Sequence, residues 1–176
     1  MNHDFNSYHA TNFEWLAKEP HLWRRSADDL KFSADVLAER WDEIDQRVIA
    51  DKSDEWIMLW GIGRSYLLLA GLALENLVKG ICIKNDPTIV SQQKVEWGRS
   101  GHELTDLFDK AGITLDTDEL RFIEKLQEFV LWVGRYSLPK RASDYTKRSD
   151  QTPMVGMPGD KMMFEQVYGR VSKMYP

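Results

Sequence analysis

The stretch that decides the fold is residues 53–84, SDEWIMLWGIGRSYLLLAGLALENLVKGICIK. It is apolar on nearly every side of a helix with 3.6 residues per turn, which is typical of the central helix of a bundle. We expect this helix to begin near Ser53 or Asp54 and to end at about Lys84. An Asn-Asp-Pro segment follows at 85–87, and proline disfavours a helical conformation in the residue before it.

A few polar side chains interrupt the apolar run. On an ideal helix with about 100° per residue, Arg64 and Lys79 lie within about 40° of Glu75, so the three form one ionic stripe. Asn76 lies about 100° further round the helix. Two interpretations stay open at this point. In the first, these residues lie on the surface or form a satisfied ion pair. In the second, they form a polar seam that faces a dimer mate or a ligand pocket.

Glycines are unusually frequent in the same helix. Each costs roughly 1 kcal/mol relative to alanine in a helix interior, so we expect them to mark places where another element approaches closely. They are Gly61, Gly63, Gly71 and Gly80.

The residues before this helix predict one long helix and an arm. The helix begins at about Ser26, where Asp28 and Asp29 suit a first turn. Residues 1–25 are rich in aromatic side chains and are predicted to form an N-terminal arm that packs on the bundle. The apolar stripe of the helix is Leu30, Leu37, Trp41, Ile44 and Val48.

Three shorter helices are predicted after the central helix. Ser100 and Glu103 have the spacing of a capping box, Thr117 can cap the next helix, and the last helix covers about 160–173. No strand-like alternation is found, so residues 26–176 are predicted to form one all-α domain, an antiparallel helical bundle of about five helices. Inward-facing residues are Leu120, Ile123, Leu126 and Val130 in the second of these helices, and Phe164, Val167, Tyr168 and Val171 in the last. Segments predicted to be irregular are 85–99 and 135–158.

Composition limits the classes of function. Hydrophobic residues make up 43% of the 176 residues and charged residues 29%, the balance of a soluble globular protein. The net charge of −5 argues against nucleic-acid binding over the whole surface. The longest apolar run, residues 66–74, is shorter than the ~20 residues that cross a bilayer, and residues 1–15 lack the pattern of a secretion signal. Together with the single Cys82, this predicts a cytoplasmic protein without membrane contact.

Few residues suggest chemistry. His102 begins a predicted helix and either belongs to its first turn or acts as a general acid or base. The loop after the fourth helix is basic and contains tyrosines, so it is either a solvated loop or a phosphate-binding surface. Its candidate residues are Arg135, Tyr136, Lys140 and Arg141. No histidine or cysteine pair has a metal-ligand spacing, and no nucleotide-binding or hydrolase motif is found, so neither a metal nor a cofactor is predicted.

Three motifs follow one another along the chain: LALENLVKG at 72–80, GHELTDLF at 101–108 and GRYSLP at 134–139. Together they resemble bacterial HEPN-domain proteins (higher eukaryotes and prokaryotes nucleotide-binding). The resemblance covers roughly residues 30–138. It implies an antiparallel helical bundle that is usually dimeric. Members of that family include toxin ribonucleases of defence systems, partners of small nucleotidyltransferases, and catalytically silent versions that bind RNA or nucleotides.

The resemblance also assigns positions. Glu75 and Lys79 match the polar pair of the family's central helix, His102 matches its Gly-His-(Asp/Glu)-Leu motif, and Arg135 with Tyr136 matches its terminal Arg-Tyr. The family's active ribonucleases carry arginine, four to six residues, then histidine, with the pair assembled across the dimer. This chain departs from that pattern, since no histidine follows Arg135 at 140–142 and none of its histidines has an arginine at the required distance before it.

The sequence therefore predicts a non-catalytic HEPN-like homodimer that binds a nucleotide, RNA or a protein partner such as a nucleotidyltransferase, in a bacterial defence or toxin–antitoxin setting. A ribonuclease with a variant site is the first alternative, and its catalytic candidates are His102, Arg135 and Glu75. A pure protein-interaction module is the second alternative. Residues expected to line a ligand site or an interface are Arg64, Glu75, Asn76, Lys79, His102, Arg135, Tyr136, Lys140 and Arg141.

Overall fold

The structure is a computed structural model that describes residues 12–51, 56–98, 101–136 and 158–175. Within these ranges it is an all-α helical bundle with one small β-hairpin, which confirms the predicted fold class. The helices are α1 (12–17), α2 (Pro20–Asp51), α3 (Trp56–Asn85), α4 (Leu104–Lys110), α5 (Thr117–Glu128) and α6 (Pro158–Ser172). The hairpin strands are β1 (Val90–Ser91) and β2 (Lys94–Val95).

The longest helices, α2 and α3, lie side by side in opposite directions. The rings of Trp41 and Tyr66 meet edge to face with centroids 5.7 Å apart. Towards the other end of the pair, Trp23 of α2 packs directly against Gly80 of α3, where an added Cβ would lie 2.9 Å from the Cβ of Trp23. Rising numbers in α2 therefore meet falling numbers in α3, which makes the pair antiparallel.

Helix α3 supplies the centre of the core. It is long and apolar enough to cross a membrane by length and composition, but 78% of its most apolar window is buried inside the bundle, as for the core helix of a soluble protein. The predicted start at Ser53 or Asp54 lies outside the described residues. Residues of α3 that are buried include Tyr66, Leu67, Ala70, Ala73, Leu74, Leu77, Val78 and Ile81.

Two of the α3 glycines do mark close packing. A Cβ at Gly71 would lie 2.6 Å from the Val130 side chain, and one at Gly80 would lie 1.9 Å from the hydroxyl of Tyr175. Gly61 has nothing within 4 Å of the same position, so close approach was the wrong explanation there. The end of α3 that contains Gly80 is thus held between α2 and the C-terminal residues of the chain.

The predicted start of the first long helix was wrong. Helix α2 begins at Pro20, six residues before Ser26, and residues 12–17 already form α1. Proline suits a first helical position, because its φ is fixed near the helical value and its missing N–H would have no partner there. Asp28 and Asp29 lie in the third turn instead, so they do not mark the helix start. Residues 1–11 of the predicted arm lie outside the described residues.

The helix caps also differ from the predictions. Glu103, not Ser100, is the N-cap of α4 and makes no side-chain capping bond, while Ser100 lies outside the described residues. Helix α5 is capped by Asp116 rather than Thr117, in a reciprocal capping box with Glu119. An aspartate accepts these N–H bonds as well as a threonine does, and the reciprocal glutamate favours the earlier position.

On α5 the inward face was partly misassigned. Ile123 and Leu126 are buried as expected, but Leu120 is 40% exposed and Glu119 takes the buried position instead. Glu119 tolerates burial because Arg170 of α6 donates two hydrogen bonds to its carboxylate, at 3.1 and 2.8 Å. After α5 the chain widens into a π-helical turn, Phe129–Val133, which Gly134 ends.

Helix α6 closes the bundle as predicted. Its residues Phe164, Val167, Tyr168 and Val171 are all buried. Near its start, Asp160 forms a buried ion pair of 2.8 Å with Lys125 of α5.

The connection between α3 and α4 is more ordered than the predicted loop. A 3₁₀ turn, Pro87–Ile89, leads into the hairpin, in which Val90 pairs with Val95. Gln92 and Gln93 form its turn with φ of 49° and 60°, values that favour glycine or asparagine. The backbone N–H of Gln93 donates to Glu14 at 2.8 Å, which ties the hairpin to α1.

Candidate functional site

The carboxylate of Glu75 lies at the centre of a cluster of polar side chains. Lys79 Nζ donates to Glu75 Oε1 at 2.7 Å, and His102 Nδ1 lies 2.9 Å from Oε2 and 3.1 Å from Oε1. The side chains of Glu75 and Lys79 are only 5% and 7% exposed, whereas that of His102 is 43% exposed. We call Glu75, Lys79, Trp97 and His102 the Glu75 cluster.

This arrangement fixes the orientation of the imidazole. Glu75 is paired with a lysine and acts as a hydrogen-bond acceptor, so Nδ1 of His102 carries the donated proton. In the neutral tautomer Nε2 then bears the lone pair, and in the protonated form both ring nitrogens are donors. The same dyad can therefore accept a proton or offer a charged donor to an anion, at a side chain that solvent reaches.

Trp97 forms a wall of the cluster. Lys79 Nζ lies 5.1 Å from its ring centroid and Lys110 Nζ lies 5.9 Å from it, within range of cation–π attraction. Trp23 of α2 meets the same indole edge to face, with centroids 5.3 Å apart. A half-buried aromatic ring thus stands beside two lysines.

Gly101 explains how His102 reaches Glu75. Its φ of +64° lies in the left-handed region that side chains rarely adopt, and an added Cβ would lie 3.0 Å from the Cβ of Trp97. Any other residue at this position would be strained and crowded against Trp97. The next residue then places its imidazole on the carboxylate.

Arg64 does not join the cluster, although it shares the stripe on α3. Its Nε donates to the Val133 carbonyl at 3.2 Å, a terminal nitrogen also donates to that carbonyl, and the same nitrogen reaches the Tyr136 carbonyl at 3.3 Å. The Val133 carbonyl ends the π-helical turn, and Tyr136 follows three residues later. Carbonyls at the C-terminal end of a helix lack donors within the helix and favour a cation. Arg64 and Glu75 are eleven positions apart on α3, which corresponds to about 16 Å along the axis.

The predicted basic residues are only partly described. Arg135 and Tyr136 are exposed, and the Arg135 guanidinium lies 5.5 Å from the Tyr136 ring centroid. Both lie at the level of Arg64, so a single chain does not bring Arg135 to His102. Lys140 and Arg141 lie outside the described residues.

Asn76 serves a different neighbour, as its angle on the helix predicts. Its side-chain nitrogen donates to the Leu72 carbonyl at 2.8 Å, and the residue lines a cavity between α1, α2 and the hairpin.

The remaining candidate chemistry is weak. Burial raises the pKa of the Cys82 thiol to about 11, opposed by the charge of Lys110, so the thiol is protonated and a poor nucleophile at neutral pH. Its sulfur lies 3.7 Å from the Leu107 carbonyl. Within the described ranges, no three histidine, cysteine, aspartate or glutamate side chains are placed to hold a metal ion.

Sequence reasoning missed Trp97 and the role of Gly101. Trp97 lies in a predicted loop without periodicity, so no pattern marked it as a neighbour of Lys79. A glycine directly before His102 was the one available signal, since glycine often marks a positive φ or a close approach.

Comparison with protein-family models, curated proteins and solved structures finds no match to this chain. The HEPN assignment therefore stays a prediction that rests on the three sequence motifs.

Proposed function

We propose that this chain is a non-catalytic, HEPN-like cytoplasmic homodimer that binds RNA or a nucleotide at the surface formed by Trp97, His102 and Lys110. One observation carries the proposal: an exposed imidazole, held by a buried carboxylate, stands next to an aromatic ring with lysines beside it. Imidazole and lysine can meet phosphates, and an aromatic ring can stack on a base.

The charges of the cluster favour binding over catalysis. Metal-free cleavage of RNA needs a proton acceptor together with a cation that neutralises the phosphate. Lys79 is buried and already paired with Glu75, and Arg135 lies at another level of α3. Among the described residues, the cation left beside the cluster is Lys110, which is exposed and donates to the Glu96 carbonyl at 3.2 Å. This supports recognition of a phosphate without an assembled catalytic pair.

A binding experiment tests this proposal. Fluorescence anisotropy with a short labelled single-stranded RNA should give saturable binding that weakens with salt. Lys110→Glu should weaken it by about tenfold or more and lower the salt slope by about one. Lys173→Glu, the same charge change on an exposed residue at the end of α6, should leave affinity close to that of the wild type. Absence of RNA and nucleotide binding by the wild type would refute the proposal.

A second candidate, a ribonuclease with a variant site, is favoured by the Glu75–His102 contact. A carboxylate on Nδ1 orients Nε2 as a base, which is the arrangement that proton abstraction from a ribose hydroxyl requires. Incubation of pure protein with bulk RNA decides between the two. RNA cleavage by the wild type that His102→Ala abolishes would establish the enzyme and overturn the non-catalytic proposal. RNA that stays intact while anisotropy reports binding supports the proposal.

The homodimer in this proposal has its own support. The first turns of α3 expose Ile57, Met58 and Trp60 by 64%, 51% and 51%. Large apolar side chains clustered on the surface often mark a protein contact. A second copy of the chain that covers them would fit the family resemblance, which implies a dimer.

A further inference from the structure

A cavity of about 310 Å³ lies between α1, the first turns of α2, the middle of α3 and strand β2. Phe13, Leu16, Trp23 and Val95 form apolar walls, and the polar members of the lining are Ser26 and Asn76. None of the lining residues carries a charge. Phe13 and Leu16 are 42% and 44% exposed, so apolar surface around the mouth is left in contact with water.

The walls of the cavity are held in place. Trp23 Nε1 donates to the Ala17 carbonyl at 3.0 Å, which fixes the indole and joins α1 to α2. Trp97 meets the same ring edge to face, and α2 packs closely on α3 where the backbone of Trp23 passes Gly80. The Trp23 wall of the cavity is therefore fixed by contacts within the chain, as the walls of small-molecule sites usually are.

Asn76 gives the cavity one polar group of known orientation. The Leu72 carbonyl can only accept, so the amide nitrogen of Asn76 must be the atom that lies 2.8 Å from it. The amide oxygen is then the other atom, and none of the described residues donates a hydrogen bond to it. An acceptor with open capacity in an apolar wall favours a ligand that donates.

We propose that this cavity binds a small, uncharged, planar aromatic molecule with an N–H donor for the Asn76 amide oxygen. The volume lies at the lower end of small-molecule sites, and the aromatic walls suit a flat ring. Because none of the described residues that line the cavity is a cation, a phosphate group finds no partner among them. This site is separate from the Trp97, His102 and Lys110 surface and goes beyond the proposed function.

Indole is the probe for this proposal, and 1-methylindole is its matched control without the N–H. Indole is titrated into the full chain, and binding is measured by calorimetry and by ¹H–¹⁵N NMR spectra. Both should show saturable binding, and the NMR signal of the Trp23 side-chain N–H should shift. The methylated probe should bind about fivefold more weakly, the loss expected for one hydrogen bond.

Two variants of exposed serines on α2 locate the site. Ser26→Phe places a ring in the cavity mouth and should weaken indole binding by about tenfold or more, because it occupies the same space. Ser33→Phe makes the same change two turns along the helix, outside the cavity lining, and should leave binding unchanged. Both variants should have melting temperatures close to that of the wild type.

Three results would overturn the inference: no saturable indole binding by the wild type, full binding by Ser26→Phe, or equal affinity for the two probes. RNA affinity measured with and without indole tests whether the two sites are independent, and it should be the same in both conditions. Failure of RNA binding would leave the indole result standing, and the reverse also holds.

Discussion

His102 and Glu75 lie 27 positions apart in the chain, yet Nδ1 of the histidine is 2.9 Å from Oε2 of the glutamate. The glutamate is buried on α3, and the histidine arrives on the turn that precedes α4. Because Lys79 holds the other side of the same carboxylate, the glutamate joins a buried cation to a solvent-exposed imidazole. The consequences of this contact for stability and for binding can be measured separately.

Removing the negative charge of Glu75 should destabilise the fold. Glu75→Gln leaves the buried ammonium of Lys79 without a counter-charge, and breaking a buried ion pair typically costs about 3–5 kcal/mol in the free energy of unfolding. Urea unfolding followed by circular dichroism measures the loss. The double variant Glu75→Leu/Lys79→Leu removes both charges and should recover most of it.

Glu39→Gln is the matched control, since this glutamate is exposed on α2 and its change should alter stability by less than about 0.5 kcal/mol. A loss for Glu75→Gln as small as that of the control would contradict the prediction. It would mean that water reaches the pair and screens it.

Gly101 should be intolerant of any side chain. Gly101→Ala forces alanine to a φ of +64° and places its Cβ 3.0 Å from the Cβ of Trp97, so we expect a loss of about 1–2 kcal/mol in stability. It should also move His102 away from Glu75, visible as a change in the histidine ring signals by NMR. Gly169→Ala in α6 has open space and should instead stabilise the fold by up to about 1 kcal/mol.

Equal effects of the two glycine substitutions would contradict this explanation. They would show that strain at the positive φ of Gly101 and crowding against Trp97 contribute little to stability.

Alkaline pH should lower the free energy of unfolding, in part because the Cys82 thiol is buried. Burial raises the pKa of Cys82 to about 11, whereas a thiol in an unfolded chain titrates near ~8.5. The unfolded state therefore loses its proton first, so the thiol's contribution to stability is fully present below about pH 8.5 and is lost as pH rises towards about 11. The free energy of unfolding should fall more steeply over this range in the wild type than in Cys82→Ala.

The comparison with Cys82→Ala isolates the thiol, because burial also raises the pKa of other groups in both proteins. They are Tyr66, Tyr168 and Tyr175. Parallel pH profiles for the two proteins would contradict the prediction.

Periodicity predicted the helices, because a bundle buries one stripe per helix and the stripe is visible in sequence. It placed Phe164 and Val171 inside correctly but put Leu120 there wrongly, since the partner that lets Glu119 be buried, Arg170, lies in a distant helix. The pattern of residues within one helix does not show which residue of another helix will pair with it.

The candidate site was predictable in part for the same reason. Glu75 and Lys79 are neighbours on one helix, so their pairing follows from spacing alone. The contacts of Trp97 depend on the path of the chain between α3 and α4, where no period exists. Arg64 shared the stripe but serves the end of the π-helical turn, which sequence could not foresee.

The proposed homodimer should depend on Trp60. Its side chain is 51% exposed in the first turns of α3, and burial of a tryptophan in an interface commonly contributes a large part of the binding energy. Light scattering after gel filtration should give about twice the mass of one chain for the wild type and the mass of one chain for Trp60→Glu, because the carboxylate would be buried without a partner. Trp15→Glu, on α1 and 59% exposed, makes the same change on another helix and should leave the dimer intact. A monomeric wild type, or a Trp60→Glu variant that stays dimeric, would show that α3 is not the contact surface.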